Sequence, residues 1–580
     1  PIVLLVLFSF NTPRTPGRTT VAAAVVFLLA ATGGSVHAQK VLDDYEAAPA
    51  PVARTEASAA TRNYSPYAAR KYPTRAYWGD THNHTANSGD AFAAGNRLTP
   101  EDAYRVARGE EVVSSTGVPV KLSRPLDFLV VADHAEGLGL MQEVYKGNPF
   151  FVSDPTLAAW GKGMQEGGEA AAATQNEITK AQAMGTLPAP LADKAVVGPV
   201  MMSVWQQYTA TAEKYNEPGR FTAMIGYEWT SVPGGNNLHR NVMFRDGKDK
   251  ADQVFPFSAW NSEDPQKLWT WMAQYEQKTG GKLLAIAHNA NLSNGRMFEL
   301  TDFAGQAFTR EYAEQRARFD VLQEIVQTKG NSETHPQYSP NDEFAGDMGI
   351  AGWEYGNLTL ANKPLSKEMM PTSYTRAGLM RGLEQEAKLG VNPFKFGVVG
   401  STDVHNSLTA IEEDNFYGKM PIQEPSPHRW DHLSKASDWK EGVQKRARYT
   451  WHYLGAGYAA VWATENTREA LWDAMRRKEV YGTSGTRMTV RFFGGWDYQT
   501  SDLNNRNFAG VGYQKGVPMG GDLAKAPVGK SPTFLVVALK DPLFGNLDRI
   551  QIIKGWLGKD GKAQERVYDV AWGDADKRKI

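Results

Sequence analysis

The chain has no cysteine among its 580 residues. That excludes disulfides, thiolate nucleophiles and any zinc–cysteine site. A metal ion could be held only by imidazole, carboxylate, carbonyl or water. Charge of one sign is also missing. The 63 Lys and Arg balance 64 Asp and Glu, for a formal net charge of -1, so no global basic field recommends a nucleic acid. No nucleic-acid module and no internal repeat is evident. The stretch KGNSE at 329–333 lacks the full G-x-x-x-x-G-K-[ST] pattern, and no dinucleotide fingerprint follows a first strand. Histidine is scarce, with 11 in the chain, which makes its placement informative.

An ordinary globular composition is present, with 42% apolar and 22% charged residues. Near the start, Arg14 and Arg18 precede VAAAVVFLLAA at 21–31, and Val36 and Ala38 are spaced like the small residues of a cleavage site. Basic, apolar, small is the order of a secretory signal. The apolar stretch is too short for a comfortable membrane span; an anchor or a buried strand is the alternative. The expectation is a signal region over 1–38, a mature start near Gln39, a periplasmic or secreted location and no stable membrane anchor after processing. An arm rich in Ala, Pro, Arg and Ser fills 39–75.

From about residue 76 an apolar strand, a polar tip and a helix recur, which is the grammar of an α/β fold with parallel strands. The strands Phe128–Ala132, 220–228, 281–288, one within 319–335 running toward Glu324, and 394–403 are separated by helical runs such as EDPQKLWTWMAQYEQKTG. In LTPEDAYRVARGEE, Thr99 reads as a cap, Pro100 as the first turn and Asp102 as the partner three residues on. After about residue 485 strands dominate. The expected units are a barrel over 76–485 and a smaller β-rich region over 486–580.

The stretch YWGDTHNHTANSGDA, residues 77–91, sets His82 and His84 two apart. On a strand end that spacing points both rings to one side. Asp133-His134, Glu228, His288 and Asp403-x-His405 each end an apolar strand in the same way. The ends of parallel strands share one rim, so these distant residues could form one cluster, and polar groups at successive strand ends favour a barrel.

In order, GDTHNHTANSGDA, VVADHAE, IGYEWT, IAHNANLSNG, EIVQTKGNSETHP and GSTDVHN resemble the motifs of the polymerase-and-histidinol-phosphatase (PHP) superfamily of metallohydrolases, in a bacterial branch named only as a domain of unknown function. The resemblance covers most of 76–500. It implies a distorted seven-stranded barrel and a cleft with two or three divalent metal ions. One ion would be held by His82, His84, Glu228 and Asp403, a second by Glu228 and His288, and a third by Asp90, His134 and His405. Asp90 stands where many relatives have histidine. The remaining ligand of the second ion falls to Glu324 or His335, with His335 preferred.

Such a cluster suits ester hydrolysis, with Glu228, His134, His405 and Asp133 as the catalytic group and a metal-bridging hydroxide as nucleophile. Phosphomonoesters or phosphodiesters are the expected substrates. Sulfate or other esters are the alternative, and a non-enzymatic metal-binding or ligand-binding protein is the remaining one. Zinc or manganese is preferred and iron is possible. Asn237, His239, Arg240, Asn289 and Arg487 are expected to wall a small anionic substrate; for Arg240 and Arg487 a structural salt bridge is the competing reading. The oligomeric state is left open.

Overall fold

The computed structural model describes residues 3–9, 24–27, 71–346, 353, 367–427, 429–430, 433–435, 448–453, 456–575, 577 and 579. The expected α/β alternation is present, but the expected barrel is not. Two open, mixed sheets carry the site. The five-stranded sheet runs in the spatial order Val480–Thr483, Tyr458–Ala463, Arg75–Asn83, Phe128–Val131, Thr222–Met224. The six-stranded sheet runs Gly330–Asn331, Asp320–Gln327, Leu283–Ala287, Arg240–Phe244, Gly226–Trp229, and Gly397–Gly400 also pairs with Asp320–Gln327. Between the two sheets the described strand tips share isolated bridges at Asn83–Val404 and His134–Glu228.

The physical reason for the correction lies in two places. The ten residues TSVPGGNNLH, 230–239, join Gly226–Trp229 to Arg240–Phe244, and these strands pair antiparallel. A parallel pair would need a crossover of a dozen or more residues. One apolar run is also split at Ile225: Thr222–Met224 pairs with Phe128–Val131, whereas Gly226–Trp229 pairs with Arg240–Phe244. Glycine is required at the switch, because a Cβ on Gly226 would lie 2.7 Å from Val130 Cγ1 and 3.1 Å from the Val242 carbonyl oxygen.

The strands are apolar on both faces because both faces are covered. Phe128, Val130, Met224, Leu284, Ile286 and Val399 pack into one cluster with Leu471, Trp472 and Met475 of the helix Arg468–Arg476. The alternate residues Leu129, Val131, Ala223, Ile225 and Ala285 pack with Trp205 and Tyr208 of Lys194–Tyr215, and with Trp269 and Met272 of Pro265–Thr279. Each fully buried Leu, Ile or Phe contributes about 1.5–3 kcal/mol. Buried polar groups gather near the strand tips, with Gln323 and Glu324 inside Asp320–Gln327 and Asn241 inside Arg240–Phe244 as exceptions.

The helix Pro100–Ala107 starts as the sequence predicts, with the Thr99 side chain accepting from the Asp102 amide and Asp102 accepting from Thr99 N–H. A helical insertion, including Pro155–Glu166 and Gly168–Met184, follows the second site-bearing strand. Beyond residue 488, Thr489–Gly495 pairs with Gly516–Pro518 and Thr533–Leu539, and Arg549–Leu557 forms a hairpin with Ala563–Trp572. The segment Val3–Ser9 pairs with Thr533–Leu539 and with Ala24–Phe27, the latter inside the run read as a signal. Among the described residues no helix is long and apolar enough to cross a membrane.

Candidate metal centre

Strand direction gathers the site. Arg75–Asn83, Phe128–Val131 and Thr222–Met224 are parallel neighbours, as are Leu283–Ala287, Asp320–Gln327 and Gly397–Gly400. His82, His84, His134, His288, Asp403 and His405 stand at or just beyond their carboxyl ends. His239 reaches the same rim from the other direction, since it precedes Arg240–Phe244, which runs antiparallel to Leu283–Ala287.

Glu228 is the hub. Its Oε2 lies 3.3 Å from His82 Nε2, 3.2 Å from His84 Nε2 and 3.2 Å from His134 Nδ1, and its Oε1 lies 2.8 Å from His239 Nδ1 and 2.9 Å from His288 Nε2. Asp403 Oδ1 adds a second carboxylate oxygen, 3.4 Å from His82 Nε2 and 3.3 Å from His84 Nε2. Asp90 joins the outer histidines, 3.3 Å from His134 Nε2 and 2.9 Å from His405 Nε2. Among the described residues four overlapping groups have donor atoms close enough to hold an ion: His84, His134 and His405; His82, His84 and Glu228; His82, His288 and Glu324; and Glu228, His239 and His288.

The donors fit divalent cations. His82 Nδ1 lies 2.9 Å from Glu324 Oε2. With its ring proton on that side, Nε2 presents a lone pair where Glu228 and Asp403 also present theirs. His84 is placed alike, with Nδ1 2.8 Å from Ser88 Oγ and Nε2 without a hydrogen-bond partner. His288 Nδ1 is buried without a hydrogen bond as well, whereas Asp403 Oδ1 has Lys419 Nζ 3.0 Å away. A metal-bound histidine normally directs its other ring nitrogen to such an orienting group, and converging lone pairs need a cation.

The electrostatics agree. Burial opposes charge on Glu228, yet His134, His288 and His239 hold its carboxyl well below the usual range. Burial also opposes charge on Asp403, but Lys329, Lys419 and His82 hold it low. Burial would lower His82, but Asp403 and Glu324 push it up to about 10. Burial instead takes His239 and His405 down to about 3. Carboxylates therefore dominate at His82, whereas burial dominates at His239 and His405, which are held neutral and so keep a nitrogen lone pair for a cation.

The remaining predicted residues fall in several places. Asp133 accepts from Thr85 N and Oγ1, both at 2.6 Å, and so fixes the loop after His84. Asn237 Nδ2 donates to Asn289 Oδ1 at 3.3 Å beside His288. Asn289 and Asp403 adopt left-handed φ of 54° and 55°, which short polar side chains tolerate better than others do. Arg240 is buried against Asp320, with Nη2 3.0 Å from Oδ2. Arg487 donates to the carbonyls of Pro125 at 2.8 Å and Arg124 at 2.6 Å. His335 Nδ1 accepts from Gln337 N–H at 3.1 Å and belongs to none of the four donor groups, whereas Glu324 belongs to one.

Sequence reasoning missed three contributors. Lys329 contacts Asp403 Oδ2, Lys419 Nζ lies 3.0 Å from Asp403 Oδ1, and Gln327 Nε2 donates to Asp403 Oδ2 at 2.6 Å. Both lysines are buried and line a cleft with Asp90, His134, His239 and His405. Gln327 and Lys329 follow an apolar strand, so the strand-tip rule could have found them. Lys419 lies in a loop, YGKM, with no such signal.

Comparisons with curated proteins and with solved structures gave no match. One family model, described as a protein of unknown function (DUF3604), matches residues 71–580. The match takes in every donor of the centre, and the chain belongs to that family, as a large domain whose buried His and Glu clusters could coordinate metal ions.

Proposed function

We propose that the chain is a metal-dependent hydrolase of phosphate monoesters or diesters. The observation that carries the reading is the convergence of Glu228, Asp403 and six histidines at the floor of a cleft that His134, His239, His405, Lys329 and Lys419 line. The ordered motifs shared with PHP metallohydrolases support the same chemistry through the donor set alone. Two or three divalent ions, zinc or manganese in preference and iron as the alternative, would supply Lewis acidity and a water of lowered pKa there. His82, His84, Glu228 and Asp403 would hold one; Glu228, His239 and His288, with Glu324 behind His82, a second; Asp90, His134 and His405 a third.

The chain's own groups do the rest. Lys329 and Lys419 act as point charges that draw the anionic ester to the cleft. When the third position holds no ion, His134, 12% exposed at its side chain and facing the cleft, is free to pass a proton to the leaving oxygen. Asp133 keeps the His84 loop in place. The reading also includes export to the periplasm or medium with processing near Gln39, which sequencing the mature N-terminus checks.

The test is a panel of phosphate, sulfate and carboxylate esters assayed with defined metals. Turnover on phosphate esters is expected. Turnover confined to sulfate or carboxylate esters would overturn the proposal in favour of another ester hydrolase. Metal binding with no turnover on any ester would favour a binding protein.

A further inference from the structure

The cleft above the donor cluster has two ends of different chemistry. At the inner end stand Asp90, His134, His239 and His405 with Lys329 and Lys419. The outer end carries the apolar side chains of Met141, Ile178, Leu187, Leu191, Val232 and Trp260, with Gln175, Thr179 and Gln182 of the inserted helix between them. Ile178 comes from the inserted helix Gly168–Met184, and Leu191 from the turn Ala189–Ala192. Met141, Ile178 and Leu191 belong to one buried cluster, against which Trp260 packs. This wall is therefore anchored in the core rather than carried on a loose loop.

Size and charge narrow the occupant. The cavity measures about 150 Å³. That is the space of the whole cleft, so the organic part can be no larger than one ring, a dry cavity of about 150 Å³ being the size that takes benzene. The carboxyl of Glu136 also faces this space, with Oε2 buried and lacking a hydrogen bond. A charged group on the organic part would be taken out of water against this wall, while Lys329 and Lys419 are held at Asp403. Sugar bisphosphates and nucleotide polyphosphates carry that charge. An uncharged ring does not.

We propose that the site takes phosphate monoesters of an uncharged, single-ring aryl or arylmethyl alcohol, with the ring against Ile178, Val232 and Trp260 and the phosphate towards Lys329 and Lys419. This rests on the phosphoesterase reading and adds the identity of the organic part. In the reaction the oxygen of water bonds to phosphorus and the bond from phosphorus to the ring-bearing oxygen breaks. One proton of the water goes to the departing alcohol and the other stays on the phosphate. The apolar wall acts on binding of the alcohol portion and leaves the phosphate contacts unchanged.

The test compares benzyl phosphate with methyl phosphate on the metal-loaded protein, a pair chosen because both release simple alcohols. Binding of benzylphosphonate and methylphosphonate is measured beside it by calorimetry. The expected result is kcat/KM at least about 10-fold higher for benzyl phosphate, with benzylphosphonate bound tighter by a similar factor, since a few methylenes in an apolar pocket give discrimination of that order. Ala183 lines the same cleft from a half-buried helical position. Ala183→Trp is expected to fill the ring space, raising KM for benzyl phosphate about 10-fold while inhibition by inorganic phosphate stays within about 2-fold. Val232→Asp repeats the test from the opposite wall without adding bulk to a helix. Equal kcat/KM for the two esters, or equal loss of benzyl phosphate and inorganic phosphate binding in both variants, would overturn the proposal. No phosphate ester cleaved, but benzyl acetate preferred over methyl acetate, would overturn the phosphoesterase reading and leave the ring pocket standing.

Discussion

Asp127 shows how burial alone tunes a carboxylate away from the centre. It accepts from Trp78 N–H at 2.8 Å and from Arg75 Nη2 at 2.7 Å. Burial pushes its carboxyl above the ordinary range, against the pull of the Trp78 amide and of Arg75. A carboxyl raised in the folded state binds its proton more tightly there than in the unfolded chain. Its contribution is thus fully present below the unfolded pKa and is lost as pH rises through the folded value. Asp127→Asn has no charge to bury. The stability of Asp127→Asn relative to the parent is therefore expected to improve between pH 4 and pH 7, as read by urea unfolding at both. A difference that stays constant would show that Asp127 is not perturbed. The same residue-by-residue view explains what was legible at the centre. His82, His84, Glu228, His288, Asp403 and His405 were readable because each ends an apolar run, where a polar group has no structural reason to be. His239 was placed in a substrate wall because it begins a strand, and only the antiparallel direction of Arg240–Phe244 carries it to the rim beside Glu228. Arg240 was unreadable for the opposite reason: nothing local reveals that Asp320, 80 residues away, takes its guanidinium.

Among the elements, those with local signals were legible. The helix Pro100–Ala107 follows from Thr99, Pro100 and Asp102 alone, and both hydrogen bonds of its capping box are formed. Thr99→Ala removes the cap and is expected to cost about 1 kcal/mol, measurable as a lower midpoint in chemical denaturation with an unchanged slope. No loss would mean that the box is not stabilising. Strand direction lacked any such signal. An apolar run buried on both faces reads alike whether its neighbours are parallel or antiparallel, and this is why a closed parallel barrel was expected. The split of one run at Ile225 into strands of two sheets depends on Val130 and Val242 crowding Gly226 from distant parts of the chain. The C-terminal strands were easier. Thr489–Gly495, Thr533–Leu539, Arg549–Leu557 and Ala563–Trp572 all lie in the region after about residue 485 that reads as strand-dominated, and the last two pair as a hairpin.

At the scale of the molecule, the centre joins the two sheets. Asp80, on a strand of one sheet, accepts from Thr402 Oγ1 at 2.6 Å, just past a strand of the other, and Asp403 N–H donates to His82 O at 2.7 Å. Ions held between Glu228, Asp403 and the histidines would tie both sheets in the folded state, while an unfolded chain has no such preformed set. Binding to the folded form alone raises stability by about 2.7 kcal/mol at a free ion concentration 100 times the Kd. Removing metal with a chelator is therefore expected to lower Tm reversibly, with recovery on adding back zinc or manganese. A Tm indifferent to both treatments would separate the cluster from folding.

The central claim is that Glu228 is shared by two cations, and the count of bound metal tests it most directly. Elemental analysis of the parent protein, purified without added metal, is expected to give two or three zinc, manganese or iron ions per chain. Glu228→Gln keeps the size of the side chain and removes its charge, so neighbouring cations roughly 3.5–4 Å apart would repel with less compensation. The variant is expected to fold normally, to hold at least one ion fewer and to lose most turnover. A Glu228→Gln protein with the full complement of metal and near-normal turnover, or a parent that holds only calcium or magnesium, would contradict the account.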